Sequence, residues 1–253
     1  MTEAARPSIA VSVVSHGQGR LVADLLRDLV LCPEVGEVIV TQNIPEPEIN
    51  FPEALRSRVH VIRNAQPMGF GANHNQAFRH ASSPLFAVLN PDVRLPEDPF
   101  PALTAALERP GAGLAAPVVL SPEGTMEDSA RYFPTPGQLL SRLLGGGEGR
   151  FPVQGQAPLA VDWVAGMFML LPTAVFREVA GFDEGFFLYC EDVDLCVRLW
   201  KSGHRVLLHP GVSVVHAAQR ASRRRPRYLA WHVSSLARYF YKHLGRLPRI
   251  RPE

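Results

Sequence analysis

Leu85-Phe86-Ala87-Val88-Leu89, followed at once by Asn90-Pro91-Asp92, is the stretch that decides the fold. A short, wholly apolar run bounded by a turn reads as a strand covered on both faces. It stops at a bend locked by Pro91, which leaves an acid just past the strand's carboxyl end. Working back, Ile9 to Ser15 is another β-branched run, broken by His16-Gly17-Gln18-Gly19 and followed by a helix face of Leu21, Leu25, Leu26 and Leu29. Val38 to Thr41 is a second strand, trailed by a Pro- and Glu-rich loop to Pro52. Val59 to Ile62 is a third, after which the polar, Gly-containing stretch Asn64 to Asn75 leads into a short helix near Ala77. Working forward, Pro99 to Glu108 reads as a helix. Strands alternating with helices at this spacing predict an α/β fold with a parallel, doubly wound sheet. Ligands bind such sheets outside the carboxyl ends of the strands, where Ser15, Gln42, Asn64 and Asp92 all lie.

The second half is less regular. Leu114 to Leu120 has strand character, and Pro122 to Pro158 is rich in Gly and Pro with little apolar periodicity, so it reads as a mobile loop or lid. Val161 to Leu171 returns to strand character, Pro172-Thr173 opens a helix that Gly181-Phe182-Asp183 ends, Asp192 to Lys201 is helical, and Val206 to Val215 is a strand ending at His216.

With 253 residues, 46% hydrophobic and 20% charged, the chain can bury a core without disulfides or structural zinc. Cys32, Cys190 and Cys196 have neither zinc-ribbon nor CxxC spacing and read as reduced, buried thiols of a cytoplasmic protein. The longest apolar run, Val164 to Leu171, is far short of a bilayer span, and the first residues lack a signal peptide's apolar core. Disorder, collagen, a secreted disulfide scaffold and an integral membrane protein are excluded.

The net charge of +2 hides an asymmetry. From Ala218 onward ten Lys and Arg face one acid, leaving 16 basic and 23 acidic residues in the first 217. Arg220, Arg223, Arg224, Arg225 and Arg227 are the densest part. A solvated arm, an anionic lipid surface and a polyanionic lipid-linked substrate all fit this cluster. Nucleic acid does not, because an acidic body would repel phosphate. Tyr228, Leu229, Trp231, His232, Leu236, Tyr239, Phe240 and Leu244 then recur at helical steps. That pattern suits a membrane interface and suits a helix docked on its own domain equally well.

Three places carry candidate chemistry. Asp92, past its apolar strand, is positioned to ligate a hard divalent cation, although Asn90-Pro91-Asp92 also makes a turn that caps the next element. Glu191-Asp192-Val193-Asp194 follows the aromatic stretch Phe186-Phe187-Leu188-Tyr189. Acids at a helix start favour the helix dipole, and partial burial of one would raise its pKa as a general base requires. His216 closes an apolar strand, as a metal ligand or as an ordinary core residue. Gly69-Phe70-Gly71-Ala72-Asn73 is only superficially a dinucleotide fingerprint, since His74 stands where the third Gly belongs. Its glycines are expected to let backbone approach a ligand, with Asn73 and Asn75 offering hydrogen bonds.

Together these segments resemble an inverting glycosyltransferase of family two with the GT-A fold, close to its rhamnosyltransferase branch. The resemblance covers about residues 8 to 245. It runs through Val13-Val14-Ser15, Asn64 to Asn75, Leu89-Asn90-Pro91-Asp92, Asp162 to Leu170, Gly181-Phe182-Asp183-Glu184, Phe186 to Cys196 and Val214-Val215-His216. It implies a mostly parallel central sheet flanked by helices, with a catalytic domain over residues 1–217. Residues 8–110 would form its nucleotide-binding half and 111–217 its acceptor half, followed by a basic amphipathic tail over 218–253.

By the same resemblance, Asp92 would hold a divalent Mn or Mg ion on the donor's diphosphate, with His216 as a further ligand. Asp192 would deprotonate the acceptor hydroxyl. Glu191 and Asp194 would orient the acceptor or the helix, and Trp163 and Gly166 would line the acceptor cleft. Ser15, Gln42, Asn64, Gly71, Asn73 and Asn90 would lie on the nucleotide side. The chain departs from the family in reading Ser15-His16-Gly17 where a Thr-Tyr-Asn-like sequence is usual, Gln42 where an Asp meets the nucleobase, and Asn90 for the first acid of the metal motif. The implied donor is dTDP-rhamnose and the implied acceptor a lipid-linked saccharide, at the inner face of the cell membrane. A UDP-hexose donor and a non-catalytic nucleotide-sugar-binding scaffold are the alternatives.

Overall fold

The computed structural model describes residues 8–127, 129–143, 145, 151–153, 155–216, 226–248 and 250. In chain order, strand β1 (Ile9–Ser15) leads to helix α1 (Gly19–Leu29), strand β2 (Val35–Gln42), a short 3₁₀ turn (Glu53–Arg58) and strand β3 (Val59–Arg63). Helix α2 (Phe70–Phe78), strands β4 (Leu85–Leu89) and β5 (Val93–Arg94), helix α3 (Phe100–Leu107) and strand β6 (Ala112–Leu120) follow. Next come β7 (Ala130–Arg131), α4 (Pro136–Leu143), β8 (Leu159–Ala160), β9 (Trp163–Val164) and β10 (Phe168–Pro172). The chain then forms α5 (Thr173–Glu178), α6 (Glu191–Lys201), β11 (Arg205–His216) and α7 (Pro226–His243).

The main sheet has the order β3-β2-β1-β4-β10-β6-β11-β5, with β8 beside β11, and it runs through both halves of the chain. Pairs β1·β2, β1·β4, β2·β3 and β6·β11 are parallel, as the alternation of strands and helices predicts. Strand β10 is not. It enters antiparallel between β4 and β6, from Phe168 opposite Leu89 to Pro172 opposite Leu85, so the sheet is mixed. Alternating side chains sort onto two faces. Ile9, Val11 and Val13 pack with Leu25, Leu26 and Leu29 of α1 and Phe100 and Leu103 of α3. Ala10, Phe86, Val88, Met169 and Leu171 pack with Phe176 of α5, Val193 and Val197 of α6 and Tyr239 of α7.

Two stretches differ from their sequence reading. The supposed loop from Pro122 to Pro158 contains β7 and α4, anchored by Phe133, whose amide donates to Asp162 Oδ2 at 2.8 Å. Helix α2 begins at Phe70, well before Ala77, because Gly69, Gly71 and Asn73 serve packing there and do not break the helix. The arginines at 220, 223, 224 and 225 lie outside the described residues. All three cysteines are free and buried, and burial raises their thiol pKa values.

Candidate active site

Strand ends β1, β2 and β3 sit side by side, held by main-chain bonds from Asn43 N to Ser15 O (2.8 Å) and from Asn64 N to Gln42 O (3.0 Å). Ser15 Oγ donates to Glu46 Oε2 at 2.8 Å and accepts from Gln18 N at 3.0 Å. Gln42 is buried at the same edge. Asn43 is the unanticipated member. Its Oδ1 accepts from Met68 N (2.8 Å) and Asn64 Nδ2 (2.9 Å), while its Nδ2 donates to Met68 O (2.9 Å). A polar residue directly after a buried strand is the only sequence signal for it.

Two nucleotide-side expectations need correction. Asn73 is fully buried inside α2, donating to Met68 O and Gly69 O and accepting from Asn64 at 2.7 Å. Its amide fixes the turn before the helix and presents nothing outward. A Cβ on Gly71 would come within 2.6 Å of Phe182 Cβ, and one on Gly69 within 2.7 Å of Phe187 O. These glycines let α2 approach residues 182–187 of the protein itself, and that close packing accounts for them. Asn75 completes that junction by bonding both Phe182 N and Phe182 O.

At the end of β4, Asn90 N donates to Met167 O at 2.9 Å. Two residues on, Asp92 Oδ2 lies 3.2 Å from His216 Nε2, and His216 Nδ1 lies 2.8 Å from Glu127 Oε2. Burial opposes a charge on His216, but the Asp92 and Glu127 carboxylates outweigh it and raise its pKa above the ordinary value. Asp92 Oδ1 is buried without a hydrogen-bond partner. Among the described residues no group of three or more His, Cys, Asp or Glu is arranged to hold a metal. Asp92 and His216 therefore offer two ligands, which fits an ion that takes the rest of its shell from substrate phosphates and water. Glu127, holding Nδ1, is the kind of outer partner that sets a ligand's tautomer. It falls in the segment read as a loop, 89 residues before His216, and no sequence pattern marks it.

Helix α6 carries the acidic group. Tyr189 and Cys190 both take left-handed backbone conformations, with φ of 73° and 63°, which turn the chain sharply into the helix. Asp192 is half-buried. Its Oδ2 accepts from Gly166 N at 3.0 Å and its Oδ1 from Val193 N at 2.8 Å. Desolvation raises its pKa, with those amides partly opposing the rise. Glu191 is buried beside it, with Oε2 unpartnered, and burial together with the Asp192 charge pushes its carboxyl well above the usual range. Gly166 lies against Phe70, where a Cβ would stand 3.2 Å from the ring, and Trp163 Nε1 donates to Tyr132 O at 3.0 Å.

Asp194 stands apart from this group. It is wholly buried and meets Arg198 Nε (2.8 Å), His243 Nε2 (2.8 Å) and Lys242 Nζ (2.5 Å). Burial works against its charge, yet His243, Arg198 and Lys242 hold its carboxyl well below the usual range. Its contacts dock α7 onto α6, so of the two roles expected for it the geometry favours ordering the helix over touching the acceptor.

A family model described as "Glycosyltransferase like family 2" matches residues 7–241. Rhamnosyltransferase WbbL of Escherichia coli (strain K12) is 29% identical over 243 residues, covering 91% of this chain and 92% of that protein. N-acetylglucosaminyl-diphospho-decaprenol L-rhamnosyltransferase of Mycobacterium tuberculosis is 33% identical over 166 residues, 58% of this chain and 52% of that protein. The chain thus spans nearly all of the first relative and about half of the second. Among solved structures, GalNAc-T7 with UDP, GalNAc and Mn2+ superposes with a TM-score of 0.68 at 14% identity, over 92% of this chain and 47% of that one. The mannosyltransferase PcManGT from Pyrobaculum calidifontis, in complex with GDP-Man and Mn2+, superposes with 0.65 at 16% identity, over 97% and 66%. With the GT-A sheet, a family match across nearly the whole length and rhamnosyltransferases among its relatives, the chain belongs to glycosyltransferase-like family 2 and is a glycosyltransferase of its rhamnosyltransferase-like branch.

Proposed function

We propose that this chain moves a rhamnosyl group from dTDP-rhamnose to a lipid-linked saccharide, with inversion at the anomeric carbon, in cell-surface polysaccharide synthesis at the inner face of the membrane. The observation that carries the reading is one turn, residues 165–167. Asp192 hangs from its Gly166 amide and the Asn90-Pro91-Asp92 bend from its Met167 carbonyl. The E. coli relative is named a rhamnosyltransferase, and the mycobacterial one is named for a decaprenol-linked saccharide.

In this reading Asp192 takes the proton of the acceptor hydroxyl as that oxygen bonds to the anomeric carbon and the donor's diphosphate leaves from the opposite face. Its raised pKa brings it toward the range in which a base is efficient, and the Gly166 amide fixes its direction. Trp163 and Gly166 line the acceptor cleft, with Glu191 behind it. Ser15, Gln42, Asn64 and Asn90 face the nucleotide, and an amide at Gln42 can both donate to and accept from a pyrimidine edge. Asp92 and His216 would hold a Mn or Mg ion, whose positive charge neutralises the departing diphosphate. The basic residues after Ala218 would meet anionic lipid.

Asp192→Asn keeps size and removes the base, so transfer should fall by about 10²–10⁴ while donor binding stays. Turnover within about tenfold of wild type would refute the base assignment. Thermal shifts with dTDP, UDP and GDP, each with Mn and with EDTA, test the donor. A response to dTDP above UDP supports dTDP-rhamnose, a response to UDP alone changes the donor and keeps the mechanism, and no response favours the non-catalytic scaffold.

A further inference from the structure

Helix α7 has two apolar faces, and among the described residues only one is used within the molecule. Its inner face is closed. Tyr239 is fully buried, Ser235 Oγ donates to Leu188 O at 2.8 Å, Trp231 stacks on Phe187 at 4.6 Å, and Arg238, Lys242 and His243 pair with Asp183 and Asp194. The outer face runs Leu229, Val233, Ala237, Tyr241 and, just past the helix, Leu244, at steps of three and four residues. Leu229, Val233, Tyr241 and Leu244 are 66%, 58%, 92% and 59% exposed. Among the described residues, the other exposed large apolar side chains are scattered over five different regions, and no other helix gathers four. The helix is about 27 Å long, enough to lie flat on a surface.

We infer that this outer stripe of α7 inserts into the interfacial region of an anionic lipid bilayer, and that arginines beside it supply the charge attraction. The occupant follows from the charge on the same segment. A second copy of the chain would bring another strongly basic tail against this one, whereas anionic headgroups neutralise it. Arg227 is exposed at the start of the helix, lying over the Trp231 ring at 4.6 Å, and Arg246 is exposed at its end. An apolar stripe between cations, on a helix lacking the length and apolarity to cross a membrane, is the pattern of a helix lying in the interface plane. The inner face keeps α7 attached to residues 183–194 throughout, so insertion needs no rearrangement of the domain.

The inference separates two contributions that respond differently to salt. Attraction between charges is screened at high ionic strength, whereas burial of Leu229, Val233 and Leu244 is not. Co-sedimentation of the full chain with vesicles of phosphatidylcholine and phosphatidylglycerol in equal parts should therefore leave a fraction bound at high salt. The variant Leu229→Ser/Val233→Ser/Leu244→Ser should lose that fraction and bind at least about tenfold less at low salt. These side chains are mostly exposed, so its thermal unfolding and its nucleotide-induced shift should match wild type. A variant with unchanged vesicle binding overturns the inference, and so does wild-type binding that vanishes completely at high salt. Light scattering that shows a dimer dispersed by the same substitutions would assign the stripe to a second copy and overturn it too. The assay uses no sugar donor, so a failed inference is distinct from a failed reading of the reaction.

Discussion

Replacing Gly71 by Ala tests whether this glycine serves the protein's own packing or a bound nucleotide. The new methyl would sit 2.6 Å from Phe182 Cβ and 3.2 Å from Phe182 Cγ. Phe182 cannot step aside, because both its main-chain polar groups are bonded to Asn75 of the same helix and its ring meets Phe70 and Phe176 edge-on. Overpacking of this kind costs about 1–3 kcal/mol. Ala improves helix propensity over Gly by up to about 1 kcal/mol, less in a first turn, so the net loss should be about 1–2 kcal/mol. For a chain this size that lowers Tm by roughly 3–7 °C. Gly137→Ala is the control. Gly137 lies in α4 with nothing within 4 Å of its would-be Cβ, and the substitution should stabilise by about 0.5–1 kcal/mol. Scanning calorimetry with and without dTDP reads both effects. A Gly71→Ala protein that melts at or above the wild-type temperature but no longer responds to dTDP would refute the packing argument and return Gly71 to the nucleotide.

Asp194→Asn leaves Arg198, Lys242 and His243 facing a neutral amide and should destabilise by about 3–5 kcal/mol in urea titrations at neutral pH. Because the folded-state pKa of Asp194 is depressed, its contribution is complete above the ordinary carboxylate range and is lost only as pH falls through the lower folded value; a wild-type advantage growing toward acid would contradict this. Glu191 runs the other way. Its folded-state pKa is raised, so its charge weakens the fold as pH rises, and Glu191→Gln should be more stable than wild type at neutral pH with the gap closing toward acid. His216→Ala should raise the divalent-ion concentration needed for transfer, and Glu127→Gln should raise it by about 10–100-fold; superimposable metal titrations would remove both from the ion's surroundings.

The strands of the first half were legible because each is a short apolar run that ends in a polar turn, and burial on both faces leaves no other use for such a run. The inversion of β10 was not. Phe168-Met169-Leu170-Leu171 is as apolar as its parallel neighbours, and direction is set by how the preceding turn enters the sheet. The positions of Ser15, Gln42, Asn64 and Asp92 at strand ends followed from the alternation of elements. The uses of Gly71, Asn73 and Asp194 did not, because a glycine admitting a distant phenylalanine looks the same in sequence as one admitting a ligand. A buried aspartate likewise reveals its partners only when α7, some fifty residues later, is laid against it. Glu127 was hidden for the same reason, and its partner His216 was visible only because a histidine at the end of an apolar strand is conspicuous.

The inverted strand has a mechanical consequence. Were β10 parallel to β4, the edge beyond Leu89 would be flanked by another strand's exit. It is flanked instead by a strand's entry, and two consecutive residues of that entry grip Asp192 on one side, through the Gly166 amide, and Asn90 on the other, through the Met167 carbonyl. A displacement of the Gly166–Met167 turn therefore carries both carboxylate-bearing segments with it, in the same direction and at once. Asp192 and the Asn90-Pro91-Asp92 bend are thus referred to one pair of residues, so a substitution that shifts Gly166 or Met167 reaches both at once.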